Sequence, residues 1–167
     1  GGTKRLPSGF QFPRHPIDVA YLYALSKNNT ITNWQGSASL KGSTTGWIKN
    51  YEVFPQEQRD FTLKEFRTIE QGLELLITDK IDFLIDEQDT ILELIQTGAI
   101  DSELFKFYPV DKETEIFTVF SDTSVSRALI NIYNERLPVL IKSGQMDLIF
   151  NKWRSESTPA TISQLAN

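Results

Sequence analysis

The sequence FRTIEQGLELLITDKIDFLIDE, residues 66–87, decides the fold. Leu73, Leu76 and Ile77 share one face at the i, i+3, i+4 spacing of an amphipathic helix. After this helix, residues 81–85 read IDFLI, an apolar run typical of a strand covered on both faces of a parallel sheet. A helix that leads into a buried strand predicts an α/β architecture.

Two carboxylates stand where the buried strand ends. Ligands of open α/β sheets bind just outside the carboxyl ends of strands, which makes Asp86 and Glu87 the leading candidate site. A carboxylate offers only hydrogen-bond acceptors and therefore suits a ligand that carries an amine. The alternative is that both acids cap the helix that begins at Gln88. Asp82, inside the strand, is expected to be structural and bonded to backbone or to a lysine.

Hydrophobic periodicity and turn residues place the other elements. We predict strands at Ile17–Leu25, Thr44–Ile48, Thr62–Arg67, Leu104–Tyr108 and Glu115–Phe120. We predict helices that begin after Thr68 with Gln71 as capping-box partner, at Gln88–Thr97 with Gly98 at C′, after Ser121 or Ser124 up to Gly144, and at Met146–Trp153. Pro109 should end its strand, and Pro138 should kink or split its helix. Residues 155–167 should form a frayed tail.

Composition excludes several classes of function. The 167 residues carry a net charge of −5 with scattered Lys and Arg, which argues against nucleic-acid binding. Cysteine is absent and His15 is the single histidine, so we expect no disulfide, no metal site and no cofactor. No nucleophile stands near a base, and the adjacent Asp86 and Glu87 point to opposite faces of a strand. We therefore expect no enzyme activity.

Three stretches resemble the family-3 extracellular solute-binding proteins, the periplasmic amino-acid type of bacterial uptake systems. They are LKGSTTGWIKNYEVF (40–54), IEQGLELLITDKIDFLIDE (69–87) and EIFTVFSDTSVSRALINIYNERLPVLIKSGQMDLIFNKW (115–153). The resemblance covers about residues 36–153, and its specificity lies in the order and spacing of the three motifs.

The resemblance implies a fold and a division of the chain. It implies an α/β, periplasmic-binding-protein type II-like lobe with a central mostly parallel sheet, two hinge strands and C-terminal helices. Residues 1–27 would be a remnant of the first lobe with the first crossing strand, and residues 28–112 the second lobe. Residues 113–167 would be the second crossing strand and helices that return to the first lobe. Most of the first lobe would be missing, so we expect a fragment that binds its solute weakly.

The resemblance also implies a function and its residues. The solute would be a small, polar, amino-acid-like metabolite that is delivered to a membrane permease in the periplasm. The alternative is an extracytoplasmic ligand-sensing domain of a membrane receptor. Glu87, with Asp86 beside it, would hold the solute's ammonium group, and Asn50 and Tyr51 would line the site. Thr45 would contact the solute carboxylate, unless it is simply a strand residue. Apolar surface exposed by the missing lobe should favour self-association.

Overall fold

The chain divides into two compact units in a computed structural model that describes residues 8–27, 31–51, 53–154 and 157–166. One unit, called here the sheet unit, comprises Tyr21–Thr114. The other, called here the helical unit, comprises Gly1–Ala20 and Glu115–Asn167.

The sheet unit is built on a sheet of five strands: β2 (Asp18–Lys27), β3 (Thr44–Ile48), β4 (Thr62–Phe66), β5 (Phe83–Glu87) and β6 (Phe105–Ile116). Their order across the sheet is β4-β3-β5-β2-β6. Strands β3, β4 and β5 are parallel, as the sequence predicts. Strand β2 runs antiparallel to β5, so the sheet is mixed.

Apolar side chains of the sheet alternate between two buried clusters, one on each face. Phe83 and Ile85 join Trp47 in the first cluster. Leu84, between them in sequence, joins the second cluster with residues of helices α1 (Ile69–Ile77) and α2 (Gln88–Thr97). Strand residues alternate between faces, so burial of the whole run shows that β5 is covered on both sides.

The capping residues of the helices in the sheet unit agree with the predicted ones, with two differences. The Thr68 Oγ1 accepts a hydrogen bond from the Gln71 N–H at 3.4 Å, but the Gln71 side chain accepts from the N–H of Arg67 rather than Thr68. At the end of α2, Gly98 has φ −77° and Ala99 has φ 50°. The prediction of Gly98 at C′ is therefore wrong, since Ala99 takes the left-handed conformation that usually favours glycine.

Strand β6 contradicts two predictions. It continues through Pro109 to Ile116, although we expected Pro109 to end it. Because β6 lies at the edge of the sheet, the N–H that proline lacks is not needed for pairing. The predicted strand Glu115–Phe120 is also wrong, since β6 ends at Ile116 and the short β7 covers only Phe120–Ser121.

The helical unit contains a two-stranded sheet and the C-terminal helices. Strand β1 (Phe10–Gln11) pairs antiparallel with β7. Helix α3 (Ser124–Lys142) begins at the N-cap Thr123, whose side chain accepts from the Ser126 N–H, and not at Ser121 or Ser124. It remains one helix through Pro138, so the predicted split does not occur.

Two α-helices follow α3 in the described part of the C-terminal segment. Gly144 ends the helix with φ 75°, and α4 (Gln145–Arg154) follows. Residues 157–166 contain a further helix, α5 (Ala160–Ser163), which packs against α3 and buries Ile162 completely. The prediction of a frayed tail is wrong for these residues; positions 155, 156 and 167 lie outside the described part.

None of the helices in the described ranges is both long enough and apolar enough to traverse a bilayer.

Candidate functional site

Three parallel strands end at the same edge of the sheet. Strands β3 and β5 pair at Thr45 with Phe83, and β3 and β4 pair up to Ile48 with Phe66. Their carboxyl ends therefore lie side by side, at the position where open α/β sheets bind ligands. We call the polar residues at this edge the rim: Asn50, Tyr51, Asp86 and Glu87.

A tight turn holds Asn50 and Tyr51 in solvent. The Lys49 N–H donates a hydrogen bond to the Phe66 carbonyl at 2.7 Å, and the Tyr51 N–H donates to the Ile48 carbonyl at 3.0 Å. Asn50 adopts φ 70°, a conformation that asparagine tolerates better than most residues. Tyr51 keeps 45% of its surface exposed, so its ring is available to a ligand.

Glu87 is the accessible acid of the rim. It is the N-cap residue of α2, but its side chain makes no capping hydrogen bond, and the residue is exposed. The capping alternative therefore does not account for its side chain. A solvated carboxylate beside the end of β5 remains open to a charged ligand.

The Asp86 side chain points to the face of β5 opposite to Glu87, and the residue is only 8% exposed. Its Oδ1 accepts from the Glu87 N–H at 2.8 Å, whereas its Oδ2 has no hydrogen-bond partner among the described residues. Burial raises the pKa of the Asp86 carboxyl, and the neighbouring charge of Glu87 adds to that rise. A buried carboxylate oxygen without a donor is energetically unfavourable.

The raised pKa of Asp86 predicts a pH-dependent effect of Asp86→Asn. An acid whose pKa is raised in the folded state favours folding at pH values below its ordinary pKa, and this contribution is lost as pH rises. The free energy of unfolding of Asp86→Asn minus that of the wild type should therefore be larger at pH 7 than at pH 3.5. Urea unfolding of both proteins at the two pH values measures this difference. Equal differences at both pH values would contradict the raised pKa.

Thr45 and Asp82 have structural surroundings. Thr45 has no exposed surface, and its hydroxyl lies 2.9 Å from that of Ser43, so a solute at the rim would not touch it. This arrangement agrees with the alternative that Thr45 is a strand residue. The Asp82 Oδ2 accepts from the Thr44 N–H at 2.7 Å, which confirms its predicted bond to backbone.

A groove next to the rim was not predicted from the sequence. Its volume is about 480 Å³, and it lies along β2 and β6, where Tyr21, Tyr23, Asp111 and Glu113 line it. Strand β2 brings it beside Asp86, because Tyr23 pairs with Asp86 and paired residues share a face of the sheet. The signal in the sequence is the i, i+2 spacing of both pairs, which places each pair on one face of its strand.

No group of three or more His, Asp or Glu side chains within the described ranges could hold a metal ion.

The sequence itself matches no protein-family model and no curated protein. Solved structures do match. The arginine-, lysine-, histidine-binding protein ArtJ from Geobacillus stearothermophilus is 20% identical, with a TM-score of 0.63 over 95% of this chain and 68% of ArtJ. An ABC uptake transporter substrate-binding protein from Streptococcus pneumoniae, with bound histidine, is 20% identical, with a TM-score of 0.60 over 90% of this chain and 63% of its own.

A third similar structure is the GluR0 ligand-binding core from Nostoc punctiforme in complex with L-glutamate. It is 18% identical, with a TM-score of 0.59 over 89% of this chain and 66% of that chain. The fold is that of type II periplasmic-binding-protein lobes. Identities of 18–20% establish this fold alone, and the chain spans about two thirds of the length of these neighbours.

Two strands contain residues of both compact units, since β2 includes the boundary at Ala20 and β6 the boundary at Thr114. The hinge strands that the resemblance implies, at Ile17–Leu25 and Glu115–Phe120, stay a prediction. The assignment of chain segments to particular lobes stays a prediction.

Proposed function

We propose that this chain is a solute-binding module for a small, amino-acid-like metabolite in bacterial uptake. The observation that carries the proposal is the rim, where an exposed carboxylate and an exposed tyrosine follow neighbouring parallel strands at the same edge of the sheet. The fold supports it, since similar structures include substrate-binding proteins of uptake transporters. In this role the protein binds its ligand without chemical turnover and works outside the cytoplasmic membrane, in the periplasm, with a membrane permease.

The charges around the rim favour a ligand that carries a positive nitrogen. Glu87 is exposed at the end of β5, and Asp111 and Glu113 line the groove beside Asp86. Carboxylates bind ammonium and guanidinium groups through charge-assisted hydrogen bonds. The exposed rings of Tyr21 and Tyr51 add faces on which a cation can pack. We therefore propose an amino acid or a related amine as the solute.

The affinity of this chain alone should be low. Asn50, Tyr51 and Glu87 are all exposed, so a ligand on the rim would stay partly in solvent. Well-formed small-molecule sites bury about 70–90% of the ligand surface. We propose that the complete site includes further residues, in agreement with neighbours whose chains are longer than the part they share with this one.

Removing the charge of Glu87 should weaken binding. Glu87→Gln keeps the shape of the side chain but loses a charge-assisted hydrogen bond of about 1.5–3 kcal/mol, so affinity should fall roughly 10- to 100-fold. The measurement is calorimetric titration with L-arginine, L-lysine, L-histidine and L-glutamine at millimolar concentration. Glu93→Gln, an exposed glutamate of α2, is the matched control and should bind like wild type. Equal binding by both variants would contradict the role of Glu87.

A second candidate function is ligand sensing by the extracytoplasmic domain of a membrane receptor. The similarity to a GluR0 ligand-binding core favours keeping it, because that structure also holds an amino acid in this fold. Both functions require the same rim. The sequence of the natural gene separates them, since a sensor requires a membrane span and a signalling domain in the same protein, whereas a transport protein requires a partner permease.

A further inference from the structure

A lysine that follows β3 directly lies beside Glu87 in the sheet unit. The parallel pairing of β3 with β5 aligns Gly46 with Leu84, and continuing this register by three residues places Lys49 opposite Glu87. The Lys49 N–H donates a hydrogen bond to the Phe66 carbonyl of β4 at 2.7 Å, so the backbone at this lysine still follows the sheet. A basic and an acidic residue therefore occupy equivalent positions at the ends of two neighbouring strands.

Lys49 and Glu87 also share one face of the sheet. Trp47 and Ile85, which precede them by two positions, both belong to the first buried cluster. Because side chains alternate between the faces of a strand, Lys49 and Glu87 point to the side of that cluster, whereas Asp86 points to the opposite side. Both residues are exposed, so a ligand can reach the two charges from the same direction.

The two charged groups are not paired with each other. Neighbouring strands lie about 4.8 Å apart, which is close enough for a lysine and a glutamate to form an ion pair. Within the part of the chain that the structure describes, however, neither Lys49 nor Glu87 forms an ion pair. A donor-only ammonium group and an acceptor-only carboxylate therefore face solvent side by side, and each is available to a ligand.

We propose that Lys49 binds the carboxylate of the solute while Glu87 binds its ammonium group, so that the site selects an α-amino acid over an amine without a carboxylate. This inference rests on the proposed function and narrows its substrate class. In an α-amino acid the amine nitrogen and the carboxylate carbon lie about 2.5 Å apart, on either side of Cα. Charge-assisted hydrogen bonds add about 2.8 Å at each end, so both groups can reach side chains of neighbouring strands.

The predicted preference opposes the overall charge of the protein. The chain carries a net charge of −5, and removing the carboxylate from a solute makes that solute more positive by one unit. General electrostatic attraction therefore favours the amine, whereas Lys49 favours the amino acid and repels an additional positive charge. A measured preference for the amino acid would accordingly report a specific contact with its carboxylate.

Calorimetric titration of the 167-residue chain with two matched pairs of compounds tests this role. The pairs are L-arginine with agmatine and L-histidine with histamine, at millimolar concentration and about 50 mM salt, where exposed charges are weakly screened. The wild type should bind each amino acid about fivefold more tightly than the corresponding amine. Lys49→Gln should bind the amino acids more weakly but the amines as well as before or better, because a repelling charge is gone. A merely structural effect would weaken both members of a pair alike.

Two further variants complete the test. Lys49→Arg keeps the positive charge and should retain the preference for the amino acids. Lys41→Gln removes the charge of another exposed lysine in the same unit and should behave like the wild type.

Three results would overturn the inference. Equal affinity of the wild type for amino acid and amine would exclude a carboxylate contact but leave the proposed function standing, since the rim would still bind a positive nitrogen. A Lys49→Gln protein that keeps the wild-type preference would show that another residue binds the carboxylate. If none of the four compounds binds, the proposed function fails, and the role of Lys49 fails with it.

Discussion

Replacing Phe66 with alanine should lower the free energy of unfolding by about 3–5 kcal/mol, the usual range for a buried phenylalanine. Phe66 is the last residue of β4 and is almost completely buried. Its ring fills a notch between two glycines, one on β3 and one on α1. A Cβ atom at Gly46 would lie 2.8 Å from the ring, and one at Gly72 would lie 2.5 Å from it. The ring therefore ties two parallel strands to the helix that follows them.

The same notch predicts the effect of Gly72→Ala. Alanine is favoured over glycine in helices by about 1 kcal/mol, so helix propensity alone predicts stabilisation. The structure predicts destabilisation of about 1–3 kcal/mol, because the added methyl would overlap Phe66 and Leu84 in a closely packed core. Urea unfolding of Phe66→Ala, Gly72→Ala and the exposed control Glu74→Ala measures both effects. A Gly72→Ala protein more stable than wild type would show that the ring does not occupy this notch.

The second large effect is expected at the C-terminal end of the described chain. Ile162→Ala should destabilise the helical unit by about 2–5 kcal/mol, since Ile162 of α5 is completely buried. The backbone before α5 is held as well, because the Asp147 Oδ1 accepts from the Thr158 N–H at 3.1 Å. Both contacts fix this segment against the helices that precede it.

Thermal and urea unfolding of Ile162→Ala measure this effect. Leu148→Ala is the matched control, because Leu148 is a largely exposed residue of α4 and its truncation should change stability by less than about 0.5 kcal/mol. If Ile162→Ala unfolds like the control, residues 157–166 do not pack as described.

Local patterns predicted the elements that carry strong periodicity. The face of Leu73 and Leu76, the Thr68 cap and the strand Thr44–Ile48 are all found where the sequence places them. Predictions failed where a distant contact decides the outcome. Pro109 is compatible with a strand only because β6 lies at an edge, which local sequence cannot show. Helix α5 has four residues, too few for a period to be visible, and its stability comes from packing against α3.

In the candidate site, too, local patterns predicted some features, and contacts between distant segments decided the others. The rule that ligands bind at the carboxyl ends of strands predicts Asn50, Tyr51 and Glu87 as site residues, and all three are exposed; their role in binding stays a prediction. Burial of Asp86 and Thr45 depends on which face of the strand each residue occupies and on what covers that face. The groove formed with Asp111 and Glu113 depends on the pairing order of β2 and β6, which join segments about 90 residues apart in sequence.

Amide chemical-shift mapping of the isotopically labelled 167-residue chain tests most directly whether the rim binds a solute. We predict that millimolar L-arginine or L-histidine shifts the resonances of Asn50, Tyr51, Glu87 and Gln88 in a saturable manner. Glu87→Gln should strongly reduce these shifts, whereas Glu93→Gln should preserve them. Saturable shifts confined to residues away from the rim, or no shift with any amino acid, would contradict a solute site at this edge of the sheet.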